Sequence, residues 1–214
     1  MNGDHALSLD EPGIWECACR ELAQRDPVLK SLMLEPDRGR LTRRGEPFQT
    51  LVRSIVGQQI SVKAADSIWQ RFREVCPGCT PEEIAGAESG SLKASGLSKR
   101  KTEYLKDLAF HFLERKIQPD RWGNMTDEEV IADLTRIRGI GRWTAEMFLI
   151  FNLLRPDILP LDDVGLQKGV SMAYFSGEPV SGNDIRKIAK NWKPWRTVAT
   201  WYLWRSLTPL PVEY

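Results

Sequence analysis

Histidine is almost missing from these 214 residues, with only His5 and His111 present. A zinc site built on imidazoles, or a Ser-His-Asp arrangement, is hard to assemble from two. Cysteine is sparse as well: Cys17, Cys19, and the pair Cys76 and Cys79 in "CPGC". A C-x-x-C serves redox chemistry in a βαβ context and zinc beside a second spaced pair. Neither context is visible, so free thiols of a reducing cytosol are expected. No apolar run approaches the roughly 20 residues that cross a bilayer, and the opening "MNGDHALSLDEPGIW" lacks the apolar stretch of a signal peptide. A cytoplasmic protein with no membrane partner is expected. Charge of one sign is not in excess either, since Lys+Arg 30 against Asp+Glu 29 leaves +1. The global balance therefore announces no polyanionic partner. Its distribution is uneven: acids outnumber bases eight to three from Met1 to Asp37, and bases outnumber acids six to one from Asn183 to Arg205. That asymmetry permits one cationic face on a neutral molecule, although a solvated helix face explains any single charge run. Internal repeats and low-complexity segments are absent, and alternation of period two is scarce.

What is abundant is the 3.6-residue pattern, and an all-α protein is expected. "PFQTLVRSIVGQQI" puts Phe48, Leu51, Val52, Ile55 and Val56 on one face until Gly57 interrupts. Helix resumes behind Ser61, a predicted N-cap, with Val62, Ala65, Ile68, Trp69 and Phe72 as its stripe. Thr80, Pro81 and Glu83 mark a short helix start. "GLSKRKTEYLKDLAFHFLERK" gives a basic entry and then an amphipathic helix. "MTDEEVIADLTRI" predicts a capping box from Thr126 to Glu129 and a buried stripe of Val130, Ile131, Leu134 and Ile137. A second helix runs from Arg142 to about Leu154, another starts near Val164, and two more are broken at Pro194.

Between the helices before and after it, "RGIGRWT" forms a tight turn. Glycine accepts backbone angles other residues resist and holds no partner away. The helix that follows opens with N–H groups and the positive end of its dipole, a ready phosphate site. On Gly-x-Gly alone, an αα-turn that uses glycine for geometry is the simpler reading.

The surroundings add more. "IRGIGRWTAEMFLIF", the following "LPLDD", the later "NWKPWRTVATWYLWR", and also "RSIVGQQIS" and "GLSKRK", together resemble the helix-hairpin-helix DNA glycosylases that end in a Gly/Pro-rich loop and an aspartate (HhH-GPD). The resemblance runs from about Pro47 to Arg205 and is nearest the bacterial 3-methyladenine DNA glycosylase II type. It implies a two-lobe helical fold: residues 47–155 as a central lobe with the hairpin at about 127–154, residues 1–46 plus 156–214 as the second, and a catalytic cleft between them. It implies a monomer acting on double-stranded DNA that contains alkylated bases. The DNA backbone would be held by Gly139, Ile140, Gly141, Arg142 and Thr144. A Na+ or K+ ion would rest on the main-chain carbonyls of Thr135, Ile137 and Ile140. No cysteine follows Cys79, so the four-cysteine iron–sulfur loop of some relatives is not expected. The extra N-terminal β domain of the best-known bacterial enzyme is not expected either.

In that family the essential carboxylate lies 20 positions after the residue that follows Gly-Arg, which here takes Trp143 to Asp163. A plain N-cap for the helix near Val164 is a second role for Asp163, and the two are compatible because a helix N-terminus favours an ionised carboxylate. Cleaving an N-glycosidic bond builds oxocarbenium character at C1′, which a fixed anion stabilises. An alkylated purine already bears positive charge, so a strong general acid is dispensable. Trp143 stands where bifunctional relatives carry a lysine nucleophile, which implies a monofunctional enzyme that leaves an abasic site. The residue filling the gap left by an everted base maps to Gln59, where close relatives have leucine; a glutamine that satisfies the broken helix is the other reading. Trp143, Met147 and Trp204 would line the base pocket, with electron-rich faces attracting cationic bases. Trp192, Trp195 and Trp201 read as core. Lys99, Arg100 and Lys101 are phosphate candidates or solvated charges. A same-fold enzyme for uracil, hypoxanthine or an oxidised base, and a non-catalytic DNA-binding module, are the alternatives.

Overall fold

The computed structural model describes residues 6–35 and 39–207, so His5 and Asp37 lie outside the described residues. Among these residues the chain is helical throughout, with no strand. No described helix is long and apolar enough to cross a membrane. Two compact units emerge, one built on Arg44–Phe148 and the other on Ala6–Arg43 with the chain from Leu149 onward.

The first unit contains α3 (Pro47–Gly57), α4 (Val62–Val75), α5 (Pro81–Gly86), α6 (Ser89–Ala94), α7 (Lys99–Leu113), a 3-10 turn (Pro119–Asn124), α8 (Asp127–Leu134) and the first part of α9 (Arg142–Phe151). Its starts are chemically written. Ser61 Oγ accepts from Ala64 N–H, and Thr80 with Glu83 and Thr126 with Glu129 form reciprocal capping boxes. The expected stripe of α3 is fully buried, and α7 packs against α3, α5 and α6 through Leu105 and Leu108. On α4 the stripe is buried only at Phe72, while Val62 at the first position is 57% exposed. Trp122, in the 3-10 turn, meets Phe148 edge-on at 5.2 Å.

The second unit holds α1 (Ile14–Arg25), α2 (Pro27–Leu34), the end of α9, α10 (Val164–Tyr174), α11 (Gly182–Ile188) and α12 (Arg196–Leu207). From Thr197 to Trp204 every residue of α12 is buried, as expected of a helix wrapped on all sides. Around it pack α10, α2 and α1. Trp192, Trp195 and Trp201 are buried, in keeping with a core role. The Trp192 indole and the Tyr174 hydroxyl both donate to Asp26 Oδ2, at 3.0 and 2.7 Å, while Asp26 Oδ1 caps α2.

Two helix ends fall earlier than the periodicity predicts. Helix α9 stops at Phe151 rather than near Leu154, because Leu154 takes a left-handed φ of 53° and Arg155 N–H returns to Leu149 carbonyl at 3.0 Å. Helix α11 stops at Ile188, and turn bonds from Asn191 and Trp192 carry the chain to Pro194.

Candidate active site and nucleic-acid interface

The aspartate loop is fastened before it reaches Asp163. Arg196, at the start of α12, grips both oxygens of Asp157, and Thr197 Oγ1 donates to Arg155 carbonyl at 2.6 Å while accepting from Ile158 N–H at 3.0 Å. Asp163 N–H then closes a turn onto Pro160 carbonyl. The Asp163 side chain caps α10: Oδ1 accepts from Leu166 N–H at 2.6 Å and from the Trp204 indole Nε1–H at 2.7 Å. Of the two expected roles, geometry establishes the cap. Gly165 makes the second bond possible, since a Cβ there would lie 3.0 Å from Trp204 Nε1 and 3.0 Å from Asp163 Oδ1. Asp163 is 3% exposed, so its carboxyl group is largely withdrawn from solvent and sits where charges are less screened than on a wet surface. The neighbouring Asp162 is exposed.

Trp204 is brought to the carboxylate rather than merely near it. One of its faces stacks on Phe151 at 5.7 Å and 10°, and its indole N–H serves Asp163. Of the other residues expected around a base, Trp143 and Met147 lie one turn apart on α9, the first half-buried and the second buried.

In the first unit, the hairpin joins α8 to α9 through Ile137 N–H to Leu134 carbonyl and Ile140 N–H to Ile137 carbonyl, both at 3.1 Å. Ile140 and Ile137 are buried beneath it. The two glycines differ in kind. Gly139 has φ +88°, and a Cβ on it would lie 2.5 Å from Tyr104 Cγ and 2.7 Å from Cε2, so protein geometry alone demands glycine. Gly141 has neither a positive φ nor any heavy atom within 4 Å of a Cβ. Space is thus open where its side chain would stand. Ala145 N–H makes the first helical bond, to Gly141 carbonyl, which leaves the N–H groups of Gly141, Arg142 and Thr144 ahead of it at the positive end of α9.

The α3–α4 break belongs to the same apparatus. Gln58 Nε2 donates to Gly139 carbonyl at 2.8 Å, and Lys101 Nζ donates to Val56 carbonyl at 2.8 Å, placing a cation at the end of α3. Burial pushes the Lys101 ammonium down from its ordinary range. Lys101 is thereby a brace for the break rather than a free phosphate contact. Gln58 and Tyr104 were not singled out by sequence; the "GQQ" doublet alone does not say which glutamine turns inward. Gln59 is exposed and takes φ +57°, a conformation rare outside glycine. Lys99 and Arg100 are exposed, the latter donating to Tyr104 hydroxyl at 2.9 Å. Arg142 donates to Glu128 and to Glu146. Of the three carbonyls expected to hold a monovalent ion, that of Ile137 accepts Ile140 N–H at 3.1 Å. All four cysteines are free thiols.

Comparison with known proteins gives the family and the fold. Residues 52–194 match the family described as HhH-GPD superfamily base excision DNA repair protein. The chain is 36% identical to the DNA-3-methyladenine glycosylase 1 of Schizosaccharomyces pombe over 165 residues, 75% of this chain and 72% of that protein. Its fold is similar to the crystal structure of a DNA-3-methyladenine glycosidase from Bacillus halodurans, with TM-score 0.82, 35% identity, and 94% and 91% of the two chains covered. It is likewise similar to the S. pombe 3-methyladenine DNA glycosylase Mag1 in complex with abasic DNA, with TM-score 0.77, 33% identity, and 89% and 96% covered.

Proposed function

Because the chain belongs to the HhH-GPD superfamily of base excision DNA repair proteins, we propose that it hydrolyses the N-glycosidic bond of alkylated purines, of the 3-methyladenine and 7-methylguanine type, in double-stranded DNA. The observation that carries this reading is the Asp163 carboxylate, desolvated and aimed by two N–H donors on one oxygen. Such an anion has no need to reorganise when positive charge develops beside it. The C1′–N bond breaks with its electron pair leaving on the base, which a methylated purine takes up as a neutral molecule. Water then adds to C1′ and gives up a proton, and an abasic site remains.

The lesion must leave the helix to reach a buried carboxylate. Gln59, held out at the tip of the α3–α4 break, is the proposed filler of the vacated space. Trp143 and Met147 are the proposed walls against a cationic base, favoured by stacking and cation–π attraction. Trp204 holds the carboxylate and borders the base. The hairpin backbone from Gly139 to Thr144 grips phosphate, and Thr135, Ile137 and Ile140 carbonyls would hold a monovalent cation there, lending the hairpin positive charge. The absence of lysine from α9 supports hydrolysis without strand cutting. Supporting lobes of 47–155 and 1–46 with 156–214, a monomeric state and a cytoplasmic site of action, at the nucleoid if the cell is bacterial, complete the reading.

Asp163→Asn is the test. Asparagine keeps an acceptor oxygen for Leu166 and Trp204, so the fold and duplex binding should persist while release of 3-methyladenine and 7-methylguanine from methylated DNA stops. An Asp163→Asn protein that still releases either base removes the assignment. Release of uracil or hypoxanthine in their place moves the substrate class, and binding without any release reduces the protein to a DNA-binding module.

A further inference from the structure

At the start of α9, the cation nearest the helix-end donors of the hairpin is matched by two acids. Arg142 donates from Nη1 to Glu128 Oε2 at 2.9 Å, from Nη2 to Glu128 Oε1, and from Nε to Glu146 Oε1 at 3.0 Å. Each guanidinium nitrogen faces a carboxylate, one cation against two anions. The two glutamates are unlike. Glu146 lies one turn along α9 with its side chain 8% exposed, while Glu128 reaches over from the first turn of α8 with its side chain 70% exposed. Glu128 is also dispensable to its own helix, since the cap of α8 is made by Thr126 and Glu129.

Phosphate and carboxylate present the same paired oxygens to a guanidinium. We propose that Glu128 is an affinity-setting residue: it occupies Arg142 in place of a DNA phosphate in the free protein, and a backbone phosphate arriving at the hairpin displaces it while Glu146 keeps the guanidinium aimed. This rests on the reading of the hairpin as the DNA grip. The exposed partner is the one that exchanges at little cost. Every complex must break that pair first, whatever the sequence, and is weaker by what the pair was worth. Undamaged DNA, held chiefly by backbone contacts, is therefore released sooner.

The experiment is a double-mutant cycle on the full chain. Affinity for an undamaged duplex is measured by fluorescence anisotropy, from low to high salt, for wild type, Glu128→Gln, Arg142→Gln and the double variant. Glu128→Gln should bind on the order of fivefold tighter at low salt, the size of one exposed ion pair. The gain should fade as salt rises and vanish in the Arg142→Gln background. A Glu128→Gln protein that binds no tighter overturns the proposal. So does a gain that persists undiminished without Arg142, which would mark simple removal of negative charge. Base release by the wild type, followed alongside, separates the two readings: release with a flat cycle sinks this inference alone, and a coupled cycle without release sinks the enzymatic reading alone.

Discussion

Replacing Gly139 by alanine should damage the fold, and replacing Gly141 should not. At Gly139 the backbone φ is +88°, so an alanine there pays about 1–2 kcal/mol for a left-handed conformation. Its methyl would also stand 2.5 Å from Tyr104 Cγ, far inside the roughly 3.5–4.0 Å at which carbons attract. The ring would have to shift by about 1 Å against Arg100, which holds its hydroxyl, an overpacking cost of about 1–3 kcal/mol. Together these come to about 2–5 kcal/mol, a large share of the ~5–15 kcal/mol that keeps a domain folded. For a chain of this size the melting temperature should fall by roughly 4–20 °C. Gly141→Ala meets open space at an ordinary φ and should shift stability by less than about 1 kcal/mol. Its methyl would instead hold a phosphate off the α9 donors, so duplex affinity should drop while the melting curve stays put. Differential scanning calorimetry and anisotropy titration of the two variants read these effects separately. A Gly139→Ala protein melting with the wild type would refute the argument from Tyr104, and wild-type DNA affinity in Gly141→Ala would refute the grip.

Trp204→Phe should keep the stack on Phe151 and lose the donor to Asp163, lowering the single-turnover rate of base release by roughly tenfold, one hydrogen bond to a charged group, with little change in duplex affinity. An unchanged rate would show that Leu166 N–H alone aims the carboxylate. Burial raises the Cys79 thiol to about 11 and raises those of Cys76 and Cys19 as well. A raised thiol holds little thiolate below that pH, so at pH 8 Cys76 and Cys79 should react with a disulfide reagent only as fast as the protein unfolds. Rapid labelling of both in native protein would contradict the buried turn.

Local chemistry was the most legible part of the chain. Capping boxes at Thr80 and Thr126 and the cap at Ser61 are short-range events, fixed within three or four residues, and a sequence displays them directly. Helix ends were less legible where no Gly or Pro marks them, as at Phe151, whose termination depends on Leu154 entering a left-handed conformation. Contacts over long sequence separations were least legible. Nothing in "GQQ" says that Gln58 reaches Gly139 carbonyl, 81 residues away, nor does "SKRK" say that Lys101 will brace Val56. The resemblance makes Arg142 a phosphate candidate, whereas its pairing with Glu128 joins two helices across 14 residues of sequence. Asp163 was found by its distance from Trp143; its second donor, Trp204, comes from a different helix 41 residues on.

The division of labour between the two glutamines leads to a test that separates a wedge from a helix repair. If Gln59 serves only to satisfy the interrupted α3, its removal should cost stability. The structure gives that duty to Lys101, which donates to Val56 carbonyl, ties Gln58 to Gly139 carbonyl in the hairpin, and leaves Gln59 exposed at φ +57°. A glutamine in the left-handed region is strained by about 1–3 kcal/mol. Glycine relieves that strain but adds about 0.4–1 kcal/mol of freedom to the unfolded chain. The terms oppose, so Gln59→Gly should melt near or slightly above the wild type, whereas Gln58→Ala should lose about 1 kcal/mol with its part-buried bond. Function should respond in the other order. Without a side chain to fill the gap, an everted nucleotide falls back into the stack, and Gln59→Gly should release methylated bases more slowly while binding undamaged duplex almost as before. Gln59→Leu, which keeps the bulk, should restore release. Wild-type turnover in Gln59→Gly would mean that the vacated space is filled by something other than this residue, and the strained loop would then lack an explanation in base eversion.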